Sequence, residues 1–142
     1  MASNDPIVVY DIDIGKARAD MTRTERYLVD HIIHDSMMEE LRPILASAKA
    51  ACPKDTGALA NSLGIIKRRY RRGTILYYIL GPRRKVYRNR KTHEFPSRYA
   101  HFVEFGVAVR GIPARPFLRP AWDAASSGFE DRVVARINAR LP

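Results

Sequence analysis

Cysteine is nearly absent from this chain. Cys52 is the only one in 142 residues, so no intrachain disulfide can form. The expectation is a fold held by packing in a reducing compartment. Long apolar runs are also missing, and a helix that crosses a bilayer needs about 20 consecutive apolar residues. The first residues, Met1-Ala2-Ser3-Asn4-Asp5, lack the basic start and apolar stretch of a secretion signal. The sequence has no glycine-rich phosphate loop, no zinc-type cysteine pairing and no lipase-like nucleophile elbow. Acids are scarce, 15 against 25 Lys and Arg, which leaves a net charge of +10.

What is present is an ordinary globular balance, 46% hydrophobic and 28% charged, enough for a real core. The length suits one domain spanning 1–142, with an N-terminal strand and arm at 1–21 and a basic insertion at 82–98. The positive charge is concentrated. Between Lys67 and Arg98 lie twelve Lys/Arg and one acid, Glu94, so this segment carries twelve minus one, or +11. Such a field attracts nucleic acid or an acidic protein face, although a dense charge run also serves as a solvated loop.

Residues 7–14 alternate Val8, Tyr10, Ile12 and Ile14 with Val9, Asp11 and Asp13, which predicts a strand ended by Gly15. A long helix is expected from Thr22 or Thr24 to Ala51. Its apolar stripe is Leu28, Ile32, Leu41, Leu45 and Ala48, joined by Met38. Thr22 with Glu25 has the form of a capping box, and Pro43 should kink or split the helix. Asp55-Thr56-Gly57 signals a turn, and Ala58 to Ser62 suit one helical turn. Leu63–Tyr70 and Thr74–Leu80, joined by Arg71-Arg72-Gly73, predict a β-hairpin. Residues 82–98 read as a long loop with a bend near Val86 and Tyr87. Tyr99–Phe105 predict a short helix with Phe102 and Val103 inward and Gly106 as its stop. Ile112–Leu118 should be extended. Pro120 should open a last helix with the stripe Trp122, Ala125, Phe129, Val133, Ile137 and Leu141, weakened at Ser126-Ser127-Gly128.

Two groups of residues suggest chemistry. Asp11 and Asp13 after an apolar strand match the start of a magnesium-dependent phosphatase, in which one carboxylate attacks phosphate and the pair holds the cation. Gly15 stands where Thr or Val is usual, and the parallel α/β alternation is missing. The plainer reading is an edge strand with an acidic face. His31 and His34, flanked by Asp30 and Asp35, share about one helical turn and could reach one metal ion, but a polar helix face explains them as well. Tyr70, Tyr77, Tyr78, Tyr87 and Tyr99 near the basic segment could stack on bases, yet sheet packing is their commoner use. No catalytic, metal or cofactor residue is assigned.

Three segments in order carry a resemblance. They are Cys52-Pro53-Lys54-Asp55-Thr56-Gly57-Ala58-Leu59-Ala60-Asn61-Ser62-Leu63, Tyr99-Ala100-His101-Phe102-Val103-Glu104-Phe105-Gly106 and Ile112-Pro113-Ala114-Arg115-Pro116-Phe117-Leu118-Arg119-Pro120-Ala121. From about residue 40 to 125 the chain resembles the tail-component family of long-tailed bacteriophages, the neck or tail-completion proteins of the head–tail connector. The resemblance implies an α+β fold, with a long N-terminal helix on a small, mainly antiparallel sheet and a C-terminal helix. It also implies a non-enzymatic virion protein without cofactors, in the neck between capsid and tail, assembled in the host cytoplasm. The implied partners are copies of itself in a ring, usually hexameric, a head-closure or adaptor protein, a tail-tube or tail-terminator protein, the tape-measure protein, and non-specifically the genomic DNA, with no membrane.

Within that picture Glu104 calls for a partner, because an uncompensated carboxylate in a short apolar helix is costly. Arg115 or Arg119 is the expected one, within a subunit or across a boundary. Phe117, Leu118 and Trp122 are candidate anchors for the C-terminal helix, in the internal core or at the interface. Arg83, Arg84, Lys85, Arg88, Arg90 and Lys91 form the basic loop expected to face DNA or a partner protein. The competing readings are a small basic nucleic-acid-binding module, with salt-sensitive binding, and the phosphatase using Asp11 and Asp13.

Overall fold

A computed structural model describes residues 8–13, 21–70, 75–83 and 88–141, with the backbone alone at 8–13, 70 and 75. The expected bends at Arg71-Arg72-Gly73 and at Val86 and Tyr87 lie outside the described residues. The chain is α+β. Strand β1 (Val8–Asp13) precedes the 29-residue helix α1 (Arg23–Ala51). A helical turn, α2 (Ala58–Ser62), leads into β2 (Leu63–Tyr70) and β3 (Ile75–Pro82). Helix α3 (Pro96–Phe105), a 3-10 turn (Ala108–Arg110), α4 (Leu118–Ser126) and α5 (Phe129–Arg140) complete the chain. The three strands run in the order β1-β3-β2, antiparallel throughout, with Tyr10 opposite Tyr78 and Ile66 opposite Ile79.

Helix α1 starts where Thr22 and Glu25 close a reciprocal capping box. The Thr22 amide donates to the Glu25 carboxylate at 2.7 Å, and the Glu25 amide donates to the Thr22 hydroxyl at 3.3 Å. The helix then runs through Pro43 without splitting. Leu41 and Ile44 bury on either side of Pro43, while Pro43 itself is exposed, where water can serve the carbonyl that lost its donor. The buried face also differs from the predicted stripe. Ile33, Met37, Leu41, Ile44 and Ala48 face the core, and Leu28 is 54% exposed. The buried face includes Asp30, Ser36 and Glu40, whose partners come from other elements. A count of apolar residues along one helix cannot register those.

One flank of α1 packs on β2 and the other on α4 and α5. Leu76, Tyr78 and Leu80 project into the core from β3, with Leu63 from β2. At the turn into α2, Gly57 adopts φ 73°, a left-handed conformation that an L side chain strains.

The predicted last helix is two. Gly128, at φ 67°, breaks it, and α5 restarts at Phe129. Phe129 and Val133 bury against α1, and Trp122 meets Phe129 edge-on at 5.3 Å. Beyond them Ile137 packs partly buried against the core, and the rest of α5 is held by charge. Arg132 and Arg136 bond Glu40 at 2.8 and 2.6 Å, Arg136 bonds Glu39 at 2.6 Å, and Arg140 reaches Glu39 and the Ser36 hydroxyl. Burial raises the Glu40 carboxyl pKa, but the bonds from Arg132 and Arg136 outweigh it and hold the group below the usual range. Leu141, assigned to the apolar stripe, is 43% exposed.

Candidate functional site

Helix α3 buries Ala100 and Glu104, one turn apart. At about 100° per residue, that face places Phe102 on the opposite side. Phe102 is accordingly 46% exposed rather than inward, while Val103 packs against the core. Gly106 ends the helix, its amide donating to the Phe102 carbonyl at 2.9 Å.

The chain then turns in a small hairpin. Val107 and Ile112 exchange both backbone hydrogen bonds, at 2.9 and 3.1 Å, around the turn Ala108–Arg110. Farther on, the Arg115 amide donates to the Val103 carbonyl at 2.8 Å, tying the extended segment back to α3.

Glu104 locks this arrangement. Its carboxylate accepts three backbone N–H bonds, from Phe117 at 2.8 Å, Leu118 at 3.0 Å and Arg119 at 2.9 Å. A helix start leaves four amides without intrahelical partners. Here three go to Glu104 and the fourth position is Pro120, which has no N–H. The helix dipole adds attraction for the negative charge. Two sequence expectations change as a result. The partner of Glu104 is the start of α4 rather than Arg115 or Arg119, and α4 starts at Leu118 rather than at Pro120. Arg115 is exposed, and the Arg119 guanidinium lies 5.5 Å from the centre of the Phe105 ring. Phe117 is fully buried and Trp122 half-buried, so Glu104 and Phe117 serve the interior of the protomer.

The basic segment is less open than a long loop. Arg83 is tied down, donating to the carbonyls of Ser62 and Asn61, both at 3.3 Å. Arg84 and Lys85 lie outside the described residues. Asn89, 8% exposed, organises the next turn. Its side-chain oxygen accepts from the amides of Lys91 and Thr92 at 2.8 and 3.3 Å, and its amide group donates to the Tyr99 hydroxyl at 3.3 Å. Arg88 donates to the His93 carbonyl and stands 5.9 Å from the Phe95 ring centre. Lys91 pairs with Asp55, linking this turn to the Asp-Thr-Gly bend, and Arg90 is exposed. Between the turn and α3 lies an open pocket of about 360 Å³, lined by Asn89, Thr92, Glu94, Arg98, Tyr99 and Phe102. Sequence reading missed it because Asn89 reads as one more polar loop residue.

A second polar cluster joins α1 to the sheet. Arg69 bonds Asp30 at 2.8 Å, and His34 Nδ1 lies 3.2 Å from the Tyr78 hydroxyl. Burial pushes the Tyr78 hydroxyl up to about 12 and holds the His34 imidazole below its usual pKa. The nearby Lys67 cation adds to the effect on His34. A depressed histidine pKa means the unfolded chain takes up the proton first. The stability from neutral His34 is therefore complete above its unfolded pKa of about 6.5 and shrinks as pH falls below that value. Melting temperature should fall between pH 7.5 and 5.5, and by less in His34→Gln. Equal falls in the two proteins would assign the acid sensitivity to other groups.

His31 meets the Tyr27 ring at 4.3 Å rather than sharing a site with His34. Among the described residues no group of three or more His, Cys, Asp or Glu is placed to hold a metal ion. Asp11 and Asp13 lie on the edge strand β1 of an antiparallel sheet, opposite Tyr77 and Ile75. Burial pushes the Cys52 thiol up to about 11, away from the reactive thiolate.

No helix among the described residues is long and apolar enough to cross a membrane. No curated protein and no solved structure matches the chain. A family model described as "Bacteriophage HK97-gp10, putative tail-component" matches residues 16–106. The match starts earlier than the resemblance at 40–125 and takes in the basic segment. It stops before the Pro-bounded motif at 112–121. The matched span is more than half of the 142 residues and holds α1, the β2–β3 pair and α3, so the chain belongs to the HK97-gp10-like family of bacteriophage tail components.

Proposed function

We propose that the chain is a non-catalytic structural subunit that forms a ring at the junction of phage head and tail, joining the tail to the DNA-filled head around the DNA exit channel. Its place is the neck of the virion, reached after assembly in the host cytoplasm. One observation carries this reading beyond the family. The ordered segment Ala108–Pro116 is exposed at every residue. Fixing backbone costs about 1–2 kcal/mol per residue, and this segment buries no side chain in return. A fixed projection of this kind suits contact with another subunit.

The basic segment supports a protein-facing role over a DNA-reading one. Arg69, Arg83, Arg88 and Lys91 each hold an intramolecular partner, which spaces the remaining free charges and leaves fewer for a continuous run of phosphates or for any other partner. Tight DNA binding in the channel would also oppose ejection. The basic turn then meets an acidic face of a head-closure, tail-tube or tape-measure protein.

Phage lacking the chain should accumulate filled heads and separate tails, visible by electron microscopy. Normally joined particles would reject the junction role. Neutralising Arg84, Lys85 and Arg90 together should reduce joining of purified heads to tails at least tenfold while melting temperature changes little, with Arg88 and Lys91 kept for their own intramolecular bonds. Arg83 is left in place because it anchors β3 to α2. Unchanged joining would remove the basic turn from assembly.

A further inference from the structure

We infer that the hairpin 107–112 of one copy seats in the pocket between the 88–94 turn and α3 of the next copy, so that subunits join head to tail. The inference deepens the ring reading and rests on it for closure.

The knob comes first. Val109, at the apex of the 3-10 turn, is 98% exposed, and Ile112 beside it is 47% exposed. Tight turns favour Gly, Asn, Asp and Ser, whereas valine is stiff and β-branched. A valine at a solvated apex goes against local preference and contributes nothing to its own core. Such departures are expected where function demands them. The frame beneath is set by the paired Val107–Ile112 bonds and by glycines at φ 70° and 63°, so the apex is already ordered before any contact.

The hole has matching chemistry. Tyr99 and the 46% exposed Phe102 give it aromatic walls, and on its rim Glu94, which already pairs with Arg98 at 3.0 Å, is an acid that Arg110 following Val109 would have to share. A space of about 360 Å³ accepts an isopropyl group and the stem of an arginine. The hairpin follows the C-terminus of the ten-residue α3, the hole runs from the turn before it along to Phe102, and Val109 at 98% exposure does not sit in its own chain's pocket. Two different patches meeting make a heterologous contact, the kind that closes into a ring when the rotation fits. One hairpin covers less than the roughly 800 Å² per partner of a stable interface, so each contact is weak alone and gains from repetition around a ring.

The test is a disulfide trap in phage carrying Val109→Cys and Thr92→Cys together, with each single variant as control. Cys52 stays out of exchange because its buried thiol remains protonated. Mild oxidation of infected-cell lysate and of purified particles should give a ladder of dimers and higher multimers of this chain in the double variant only. No ladder in either sample overturns the inference, as does a cross-link to a different protein. The ring reading fails separately, by absence of the chain from joined particles. Val109→Asp should keep the melting temperature and lower infectious titre at least tenfold. An unchanged titre also overturns the seat.

Discussion

Glu104→Ala is expected to lower the unfolding free energy by about 4 kcal/mol, one of the two largest effects of any single change considered. The carboxylate accepts three amide bonds at 2.8 to 3.0 Å, and no other acceptor stands ready for those donors. Bonds to a charged group are worth about 1.5–3 kcal/mol each, and each buried donor left without a partner costs about 1–3 kcal/mol. The three are not additive, since they share one carboxylate. Melting should drop by roughly 13 °C in a protein of this size. Glu104→Gln should recover only part of the loss, because its NH₂ group faces amides that are also donors. The decisive comparison is with Arg115→Ala and Arg119→Ala. If an ion pair held this joint, those changes would be about as costly as losing Glu104. With the carboxylate on backbone amides, each should cost less than about 1 kcal/mol, as surface substitutions do. Equal losses in denaturant titrations would refute the backbone role.

Gly106→Ala should be comparably severe, for a steric reason. Gly106 has φ 70° and ψ 179°, a region that side chains do not enter. A Cβ there would stand 2.6 Å from the Ala114 amide nitrogen, 2.7 Å from the Ile112 carbonyl oxygen and 3.0 Å from the Pro113 carbonyl carbon. All three are backbone atoms, so no side chain can swing aside. The expected cost is about 3 kcal/mol or more, with loss of the Val107–Ile112 pairing. Gly111→Ala is the internal control. Gly111 is also left-handed, at φ 63°, yet nothing lies within 4 Å of its Cβ position. Its cost should stay near the roughly 1–2 kcal/mol of a left-handed alanine. Similar losses at both glycines, measured by chemical denaturation, would show that backbone conformation rather than crowding dominates.

The features legible in the sequence are those set by near neighbours. The Thr22–Glu25 box, the Asp-Thr-Gly bend, the two pairing strands and the stop at Gly106 each need only a few adjacent residues. What failed to show was decided across the molecule. The buried face of α1 follows Asp30, Ser36 and Glu40, whose arginine partners lie 39, 104 and 92 positions away. Residue types alone point Glu104 to charged side chains, whereas the structure supplies main-chain amides, which every sequence carries and none advertises. The same bond explains why α4 starts ahead of Pro120. Arg132, Arg136 and Arg140 are spaced by four on α5, but nothing local points to Glu39 and Glu40 as their counterpart. The exposure of Val109 was not legible, since Val107, Ala108 and Arg110 around it are not turn formers and only Gly106 and Gly111 bracket the turn.

The attachment of the last helix sets the order in which the molecule comes apart. Phe129 and Val133 fasten the near end of α5 by burial, but past the partly buried Ile137 the far end rests on guanidinium–carboxylate pairs. Guanidinium keeps its proton at every pH a phage meets, so only the carboxylates can let go. In acid strong enough to protonate Glu39 and Glu40, or in brine, the tip frays first and the sheet later. In brine, which screens the exposed ion pairs more than the buried Glu104 bonds, peeling of α5 should leave the Val107–Ile112 pairing in place.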